Sequence, residues 1–293
     1  MSKKTLRIIS KLECKNQNLI KGINFDGQRV LGLVSDFANL YYQSGIDELI
    51  YLDTTASLYK KTVLDKLILK ACQNLFIPSS CSGGIKSIGK VRNIFKSGVD
   101  KVVLNTQAIK NPKIITKISK VFGTQSVSVG IDIFKQENRI EVWTNYGREN
   151  TRIKALDWIK KVQDYGAGEI VVTSINKDGT CKGFDLELLN LIYDEIKVPL
   201  IFGGGCGNIE DVIKLIKNFP DLSGIFINSC FHYFYYKKIF KEKNHISNGY
   251  SNTNKDIGNT DFAANRENFP KMTNGFSIEK LKRELAINGI TVR

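Results

Sequence analysis

The stretch YGAGEIVVTSINKD, residues 165–178, decides the fold because an earlier part of the same chain repeats its pattern. When Gly45 is aligned with Gly166, SGIDELIYLDTTAS (residues 44–57) follows the same order of apolar and polar positions. At this offset IPSSCSGGIKSIGKV (residues 77–91) also matches VPLIFGGGCGNIEDV (residues 198–212). A strand, a glycine-rich turn and a helix therefore occur twice in one order, and such self-similarity indicates repeated structural units.

Eight short apolar segments are predicted to form strands, with helical segments between them. Their β-branched runs lack clean alternation with polar residues, as is typical of parallel strands buried on both faces. Eight strand–helix units close most simply as a (β/α)8 barrel, an α/β fold built here from two homologous half-barrels, with its active site at the carboxyl ends of the strands. The predicted strands are residues 6–10, 48–53, 77–81, 101–105, 126–132, 169–174, 200–203 and 224–228.

Amphipathic helices are predicted at residues 150–165, where Asn150 or Thr151 would cap the start, and at residues 208–218. Residues 241–274 are rich in Asn, Ser, Lys and Gly and poor in aliphatic residues. We therefore expect a flexible polar insertion there, with a folded recognition insert as the alternative. A final helix at residues 277–288 completes a single barrel domain of residues 1–293.

Composition limits the kinds of partner. The chain carries a formal net charge of +14, but its lysines are spread along the sequence without an aromatic–basic RNA motif, which favours an anionic small substrate over nucleic acid. Six cysteines without a C-x-x-C pair, beside two histidines, predict no metal site, and no cofactor is expected. No apolar run reaches the length of a membrane helix, about 20 residues, and no signal peptide is recognised, so a cytoplasmic protein is expected.

Two glycine-rich turns, SGGIKS at residues 82–87 and GGGCGN at residues 203–208, each follow a predicted strand and precede a helix. Glycine lets backbone N–H groups approach a phosphate, and the N-terminus of the following helix attracts negative charge. A small polar turn follows the next strand in each half and would complete the site. Together the turns predict a substrate with two separated phosphates, bound by Gly83, Gly84, Asn105, Thr106, Gly204, Gly205, Asn228 and Ser229.

Two carboxylates are candidates for proton transfer. Glu13 follows the first predicted strand and Asp132 ends the fifth, so the barrel is expected to place them across its mouth from each other. Opposed carboxylates act as general acid and general base when their surroundings separate their pKa values. The alternative is that one of them only holds a loop or a lysine such as Lys21.

Taken together, these residues resemble the cyclase subunit family of imidazole glycerol phosphate synthase. The resemblance runs from residue 7 to about residue 232 and resumes at LKRELAINGITVR; its most specific phrases are GIDELIYLD, DKVVLNTQAIKNP, GAGEIVVTSINKDGT and KGFD. It implies that Asp132 is a catalytic aspartate and that the glycine turns are the two phosphate sites. It also implies a sixth-strand loop beside the substrate, formed by Asp178, Gly179 and Thr180, with Lys21 among the binding residues.

The resemblance further implies an activity. In that family, ammonia from a glutaminase docked on the amino-terminal face of the barrel enters a bis-phosphorylated formimino-aminoimidazole carboxamide ribotide. The products are imidazole glycerol phosphate and aminoimidazole carboxamide ribotide. An ammonia gate in the barrel floor would consist of Arg7, Glu48, Lys101 and Glu169, and the alternative is that these four charges form salt bridges that only stabilise the barrel.

Several positions depart from the family pattern. Glu13 stands where the family has an aspartate, Lys11 where it has a cysteine, and Ser82 where it has the first glycine of the turn. One alternative is therefore a diverged paralogue that delivers ammonia, with a glutaminase partner, for amination or amidination of a surface-polysaccharide sugar. Another is a non-catalytic basic binding protein on the same barrel. Because a carboxylate is retained at residue 13, the histidine-pathway reaction is the leading prediction.

Overall fold

Eight parallel strands close into a barrel in the structure, a computed structural model that describes residues 5–56, 75–137, 139–244 and 275–293. Each barrel strand pairs in parallel with the next barrel strand along the chain, and the last pairs with the first to close the ring. The predicted (β/α)8 barrel is thereby confirmed. The barrel strands are β1 (Arg7–Lys15), β4 (Glu48–Asp53), β5 (Ser79–Ser82), β6 (Lys101–Leu104), β7 (Val127–Gln136), β10 (Glu169–Ser174), β11 (Leu200–Gly203) and β12 (Gly224–Phe226).

The first strand of each half continues past the barrel into an antiparallel hairpin. After β1 come β2 (Asn18–Ile23) and β3 (Asp26–Leu33), and after β7 come β8 (Arg139–Thr144) and β9 (Glu149–Lys154). Neither hairpin was predicted, but their equivalent positions agree with two homologous half-barrels.

One predicted helix boundary is wrong as a result. Residues 150–154 belong to β9, and the helix begins only at Ala155, without a side-chain cap. The two residues expected to cap it make cross-strand bonds instead: Asn150 Nδ2 donates to Glu141 at 2.8 Å, and Thr151 Oγ1 donates to the carbonyl of Val142 at 2.6 Å.

Helices lie between the barrel strands and pack around them, as predicted from the alternation of strand and helix segments in the sequence. The helix predicted at residues 208–218 is confirmed, and Asn208 and Asp211 form a capping box at its start. The last helix is confirmed with Ser277 as its cap. The helices are α1 (Val34–Gln43), α2 (Ile88–Lys96), α3 (Thr106–Lys110), α4 (Lys113–Phe122), α5 (Ala155–Asp164), α6 (Leu186–Ile192), α7 (Ile209–Asn218), α8 (Ser229–Asn244) and α9 (Ile278–Ile287).

Helix α8 also corrects the start of the predicted insertion. Residues 241–244 continue this helix, whereas residues 245–274 lie outside the described residues. Within the described ranges, no helix combines the length and the apolar character that crossing a membrane requires.

The barrel has an outer and an inner core. The large outer core fills the space between strands and helices, with Ile8, Leu12 and Trp158 among its buried members. The inner core is a separate apolar layer on the barrel axis, and because successive side chains of a strand point to opposite faces, alternate residues supply it. This inner layer consists of Ile9, Ile50, Val103, Val171, Ile201 and Phe226.

A buried aspartate fastens the last helix to the amino-terminal face of the barrel. Asp47 accepts a 2.7 Å hydrogen bond from the backbone N–H of Ile8 and a 2.5 Å bond from Lys282 Nζ of α9. The chain end lies beside it, where Val292 bridges Leu6. Asp47 therefore joins the first strand to the end of the chain.

We expect Asp47→Ala to lower the free energy of unfolding by about 2 kcal/mol, because it leaves the buried N–H of Ile8 without an acceptor. Urea denaturation measures this change. Asp164→Ala, at an exposed position on α5, is the matched control and is expected to have little effect. Equal unfolding midpoints for the two variants would contradict a fastening role for Asp47.

Candidate functional site

The two hairpins meet over the mouth of the barrel. The Phe25 ring at the first tip stacks on the Tyr146 ring at the second, with centroids 4.4 Å apart and planes 18° from parallel. Both tips use left-handed backbone, with φ of 65° at Phe25 and 57° at Tyr146. Together with Ile175 these rings form a small cluster separate from the two cores. The half-barrels thus contribute one aromatic ring each to the cover of the site.

A cleft opens beside Tyr146 at the carboxyl ends of β4, β5, β6 and β7. It contains the first glycine turn and one of the two candidate catalytic carboxylates. None of the four predicted second-turn residues lines this cleft in the described structure. Its polar lining includes Lys11, Asp53, Asn105, Thr106, Asp132 and Thr173.

The first glycine turn has the geometry of an anion site. Gly83 has φ of 108° and Gly84 has φ of 65°, and a Cβ atom on Gly83 would lie 2.6 Å from the Asp53 carbonyl oxygen. A larger residue does not fit there without a shift of the backbone. Thr106 Oγ1, which also lines the cleft, accepts a 3.0 Å bond from the N–H of Asn145 and so connects the start of α3 to the second hairpin.

The second glycine turn lies at the equivalent place in the other half. Gly204 and Gly205 have φ of 104° and 103°. The Gly205 carbonyl accepts a 2.9 Å bond from Gly183 N–H, so the loop after β10 packs against the turn. Asn228 and Ser229, at the start of α8, are both buried beside it.

Asp132 lines the cleft. Asn105 Nδ2 donates a 2.7 Å hydrogen bond to its Oδ2, and Thr173 contributes a second hydrogen bond. Burial raises the pKa of Asp132, and this effect outweighs the opposing influence of Lys11 and of the two hydrogen bonds. An aspartate with a raised pKa can hold a proton nearer to neutral pH than an exposed one.

Glu13 belongs to a buried charge network. Its Oε2 atom is 3.1 Å from Lys21 Nζ, which in turn lies 2.6 Å from Asp178 Oδ2. Burial alone would lower the Lys21 pKa, but the charges of Asp178 and Glu13 raise it overall. Burial and the Glu13 charge raise the pKa of Asp178. Glu13 thus binds Lys21, the contact that the alternative interpretation of the sequence expected. This contact does not prevent a role of Glu13 in catalysis.

The sixth-strand loop packs closely against the first hairpin. A Cβ atom on Gly179 would lie 2.3 Å from the Gly22 carbonyl oxygen. Asn24 N–H donates a 2.8 Å bond to the Asp178 carbonyl, and Thr180 Oγ1 bonds within the loop to Lys177. The loop therefore supports the hairpin that carries Phe25.

Two residues at the mouth gain importance only in the structure. Lys11 stood out in the sequence as a departure from the family pattern, and its ammonium lies among the cleft residues. Tyr146 carried no sequence signal, because the hairpin that presents it was not predicted. Its hydroxyl is buried near Glu13 and Asp178; burial first, and then these charges, raise its pKa.

At the floor of the barrel, the four predicted gate residues form a closed charged ring, consisting of Arg7, Glu48, Lys101 and Glu169. Arg7 donates to Glu48 at 2.7 Å and to Glu169 at 2.5 Å. Lys101 Nζ lies 3.1 Å from Glu48 and 3.3 Å from Glu169. Burial alone would raise the pKa of Glu169, but Lys101 and Arg7 hold it below its ordinary value. The inner apolar layer separates this charged ring from the cleft.

The described ranges contain no group of three or more His, Cys, Asp or Glu side chains suited to a metal ion. The site is therefore built from carboxylates, amides, one ammonium in the cleft and two glycine turns. Such a set suits proton transfer to a substrate held by phosphates.

Similarity to known proteins identifies the family of this chain. Residues 7–237 match a family described as "Histidine biosynthesis protein". The chain is 42% identical over 207 residues to imidazole glycerol phosphate synthase subunit HisF of Legionella pneumophila, with 70% of this chain and 98% of that protein covered. It is 42% identical over 231 residues to the subunit of the same name from Lactococcus lactis subsp. cremoris (strain SK11), covering 78% and 89%.

A third relative with that name, from Methanococcus vannielii, is 38% identical over 250 residues, with 78% of this chain and 92% of the relative covered. The matches extend over most of the barrel and agree with the resemblance carried by the sequence motifs. The chain belongs to the histidine biosynthesis protein family.

Proposed function

We propose that the protein is a cyclase subunit of imidazole glycerol phosphate synthase. The observation that carries this proposal is the placement of Asp132 and Glu13 at equivalent positions of β7 and β1, between two glycine turns at the same end of the barrel. Asp132 pairs with Thr173 of the next strand and Glu13 pairs with Leu52. The substrate is a bis-phosphorylated formimino-aminoimidazole carboxamide ribotide, and ammonia is the nitrogen donor.

In this proposal the two phosphates anchor the substrate, and the carboxylates exchange protons with its centre. The first phosphate meets the backbone of Gly83 and Gly84, and the second meets Gly204, Gly205 and the start of α8. Backbone N–H groups at such turns need no reorganisation when the anion binds. Asp132, whose pKa burial raises, gives and recovers a proton as ammonia attacks and the ring closes.

The three relatives named above are all described as the same synthase subunit. They give no support to amination of a surface-polysaccharide sugar or to a non-catalytic binding protein. A cytoplasmic location remains the expectation from the sequence.

Ammonia enters, in this proposal, from a glutaminase docked on the amino-terminal face. Three exposed apolar side chains support this choice of face: Phe76 is 88% exposed, Val121 53% and Ile287 71%. Each lies in a segment that leads into the start of a barrel strand or bridges to one. Exposed apolar side chains that form a continuous patch on one face are suited to a protein partner. The charged ring would then open to admit ammonia to the apolar layer.

Steady-state turnover of the ribotide with an ammonium salt tests the reaction without a partner, at alkaline pH where more ammonium is deprotonated. We expect product from the unchanged protein and a fall of about 10²- to 10⁴-fold in kcat for Asp132→Asn, whose amide cannot act as a general acid or base. Asp164→Asn on the outer surface serves as the control. No turnover by the unchanged protein would refute the cyclase assignment, and normal turnover by Asp132→Asn would remove Asp132 from the mechanism.

The second phosphate site has its own test in Ser229→Asp. A carboxylate at the start of α8 favours the helix but repels a bound phosphate, so we expect about tenfold weaker ribotide binding, or about 1.4 kcal/mol, with folding retained. Ser229→Ala removes the hydroxyl without adding charge and is expected to bind more tightly than the aspartate variant. Calorimetric titration gives both affinities, and equal values would contradict a phosphate at this turn.

The charged ring is tested by Lys101→Met in the complex with the glutaminase. Removing this cation leaves Glu48 and Glu169 paired with Arg7 alone, so we expect less product per glutamine hydrolysed and an unchanged affinity for the ribotide. Lys160→Met, which removes an exposed cation from the outer surface, is the control. If glutamate and product form in the same ratio in both variants, the ring has only a structural role.

A further inference from the structure

The cleft contains a buried ammonium group, that of Lys11, whose hydrogen bonds the two carboxylates do not complete. Lys11 is 5% exposed and belongs to the polar lining of the cleft. It lies on β1 two residues before Glu13, so both side chains point to the barrel interior. The interior apolar layer lies below it, and Lys11 Nζ is 4.7 Å from the ring centre of Phe226 in that layer.

The hydrogen-bond donors of Lys11 are only partly satisfied. An ammonium has three N–H donors. Within the described part of the chain, Nζ makes one hydrogen bond, at 3.3 Å to Thr173 Oγ1. Glu13 Oε1 is 3.8 Å away, which is an ion pair but too long for a hydrogen bond. Donor capacity therefore remains in a site where other groups are also unsatisfied.

One polar atom of the cleft, Asn105 Oδ1, lacks a hydrogen bond among the described residues, whereas Glu13 and the Tyr146 hydroxyl interact with each other. Buried polar atoms are nearly always paired, so an unpaired acceptor beside the free donors of Lys11 points to a ligand. Asn105 and Tyr146 line the cleft together with Lys11. The free donors of Lys11 and the free acceptor of Asn105 both face this cleft and can bind a polar group of a ligand.

The other half of the barrel has no equivalent cation. Because Glu13 and Asp132 pair with equivalent positions of their neighbouring strands, the residue two places earlier is Lys11 in one half and Gly130 in the other. Gly130 lines the same cleft and contributes no side chain. The mouth is therefore asymmetric, with a cationic side chain at this position in one half only.

We propose that Lys11 binds the substrate, donating a hydrogen bond to an oxygen atom in its middle part that is negatively charged or gains negative charge during the reaction. This proposal rests on the proposed function and adds a third polar contact to the two phosphate turns. A pre-placed ammonium in a water-poor cleft stabilises such an oxygen far more than it would in water.

A purely structural role is the competing explanation, in which Lys11 only balances nearby carboxylates. The groups that face it are Glu13 on β1, Asp132 on β7, Asp178 after β10, Thr173 on β10, Tyr146 at the hairpin tip and Lys21 on β2. Loss of a balancing cation raises the pKa of a nearby carboxylate. Its effect on rate would therefore appear at low pH and vanish at high pH. Loss of a substrate contact lowers the rate on the high-pH plateau as well.

The experiment compares the unchanged protein with Lys11→Met, Lys11→Arg and the exposed control Lys160→Met, each checked by circular dichroism and thermal unfolding. The pH profile of kcat is measured with the ribotide and ammonium, and ribotide affinity is measured by calorimetry without ammonium. We expect Lys11→Met to lower the plateau kcat by about 10²-fold, as for loss of one charge-stabilising donor, and to weaken binding about tenfold. Lys11→Arg should retain part of the plateau kcat and part of the ribotide affinity, and Lys160→Met should change neither quantity.

Each outcome either supports or overturns the proposed contact between Lys11 and the substrate. A plateau kcat and an affinity unchanged in folded Lys11→Met overturn the proposal while leaving the cyclase assignment intact. If Lys11→Met does not fold, the test rests on Lys11→Arg. A folded Lys11→Arg with wild-type kcat and ribotide affinity supports a cationic contact with the substrate. A Lys11→Arg that unfolds normally but has lost both turnover and binding overturns the proposal. If the unchanged protein binds the ribotide without turning it over, the cyclase assignment fails, and weaker binding by Lys11→Met still supports the contact. Equal affinities, including no binding by any variant, overturn it.

Discussion

Closure of the barrel is the constraint on which the rest of this structure depends. The pairings of β12 with β1 and of β7 with β10 leave no open edge, so alternate side chains of all eight strands point to one axis. The axis is filled in levels, with the charged ring at the floor, an apolar layer above it, and Lys11, Glu13 and Asp132 at the mouth. A change of one residue in the register of any strand would move its charged residues out of these levels.

Charge balance at the two ends follows from that closure. At the floor, two cations alternate with two carboxylates, so every charge in the ring has two opposite neighbours. At the mouth, Lys21 and Lys11 face Glu13, Asp132 and Asp178, and the carboxylates outnumber the cations. The floor is suited to stability, because its ion pairs are complete. The mouth retains unpaired polar atoms, which a ligand can satisfy.

The sequence predicted the barrel, its duplication and most strand positions because buried parallel strands and glycine turns leave strong local signals. The resemblance to a known family identified the four residues of the charged ring, of which Glu48 and Glu169 recur at one offset. The sequence analysis missed both hairpins, because polar strands such as Glu149–Lys154 lack an apolar pattern and their pairing depends on cross-strand contacts. The stacking of Phe25 on Tyr146 joins parts of the chain that are far apart in sequence. No local sequence pattern predicts such a contact.

The difference between Lys11 and Gly130 has a consequence for how a symmetrical architecture handles an unsymmetrical molecule. A mouth with two similar turns offers a two-phosphate ligand a pair of opposite orientations, and only one of them presents the correct atoms to each carboxylate. Equal halves would leave half of the bound molecules facing the wrong way. If Lys11 binds the substrate as proposed, a cation on one side favours one orientation, since each 1.4 kcal/mol of preference changes the ratio of orientations about tenfold. Divergence between the halves thus gives a direction to a site that gene duplication alone leaves without one.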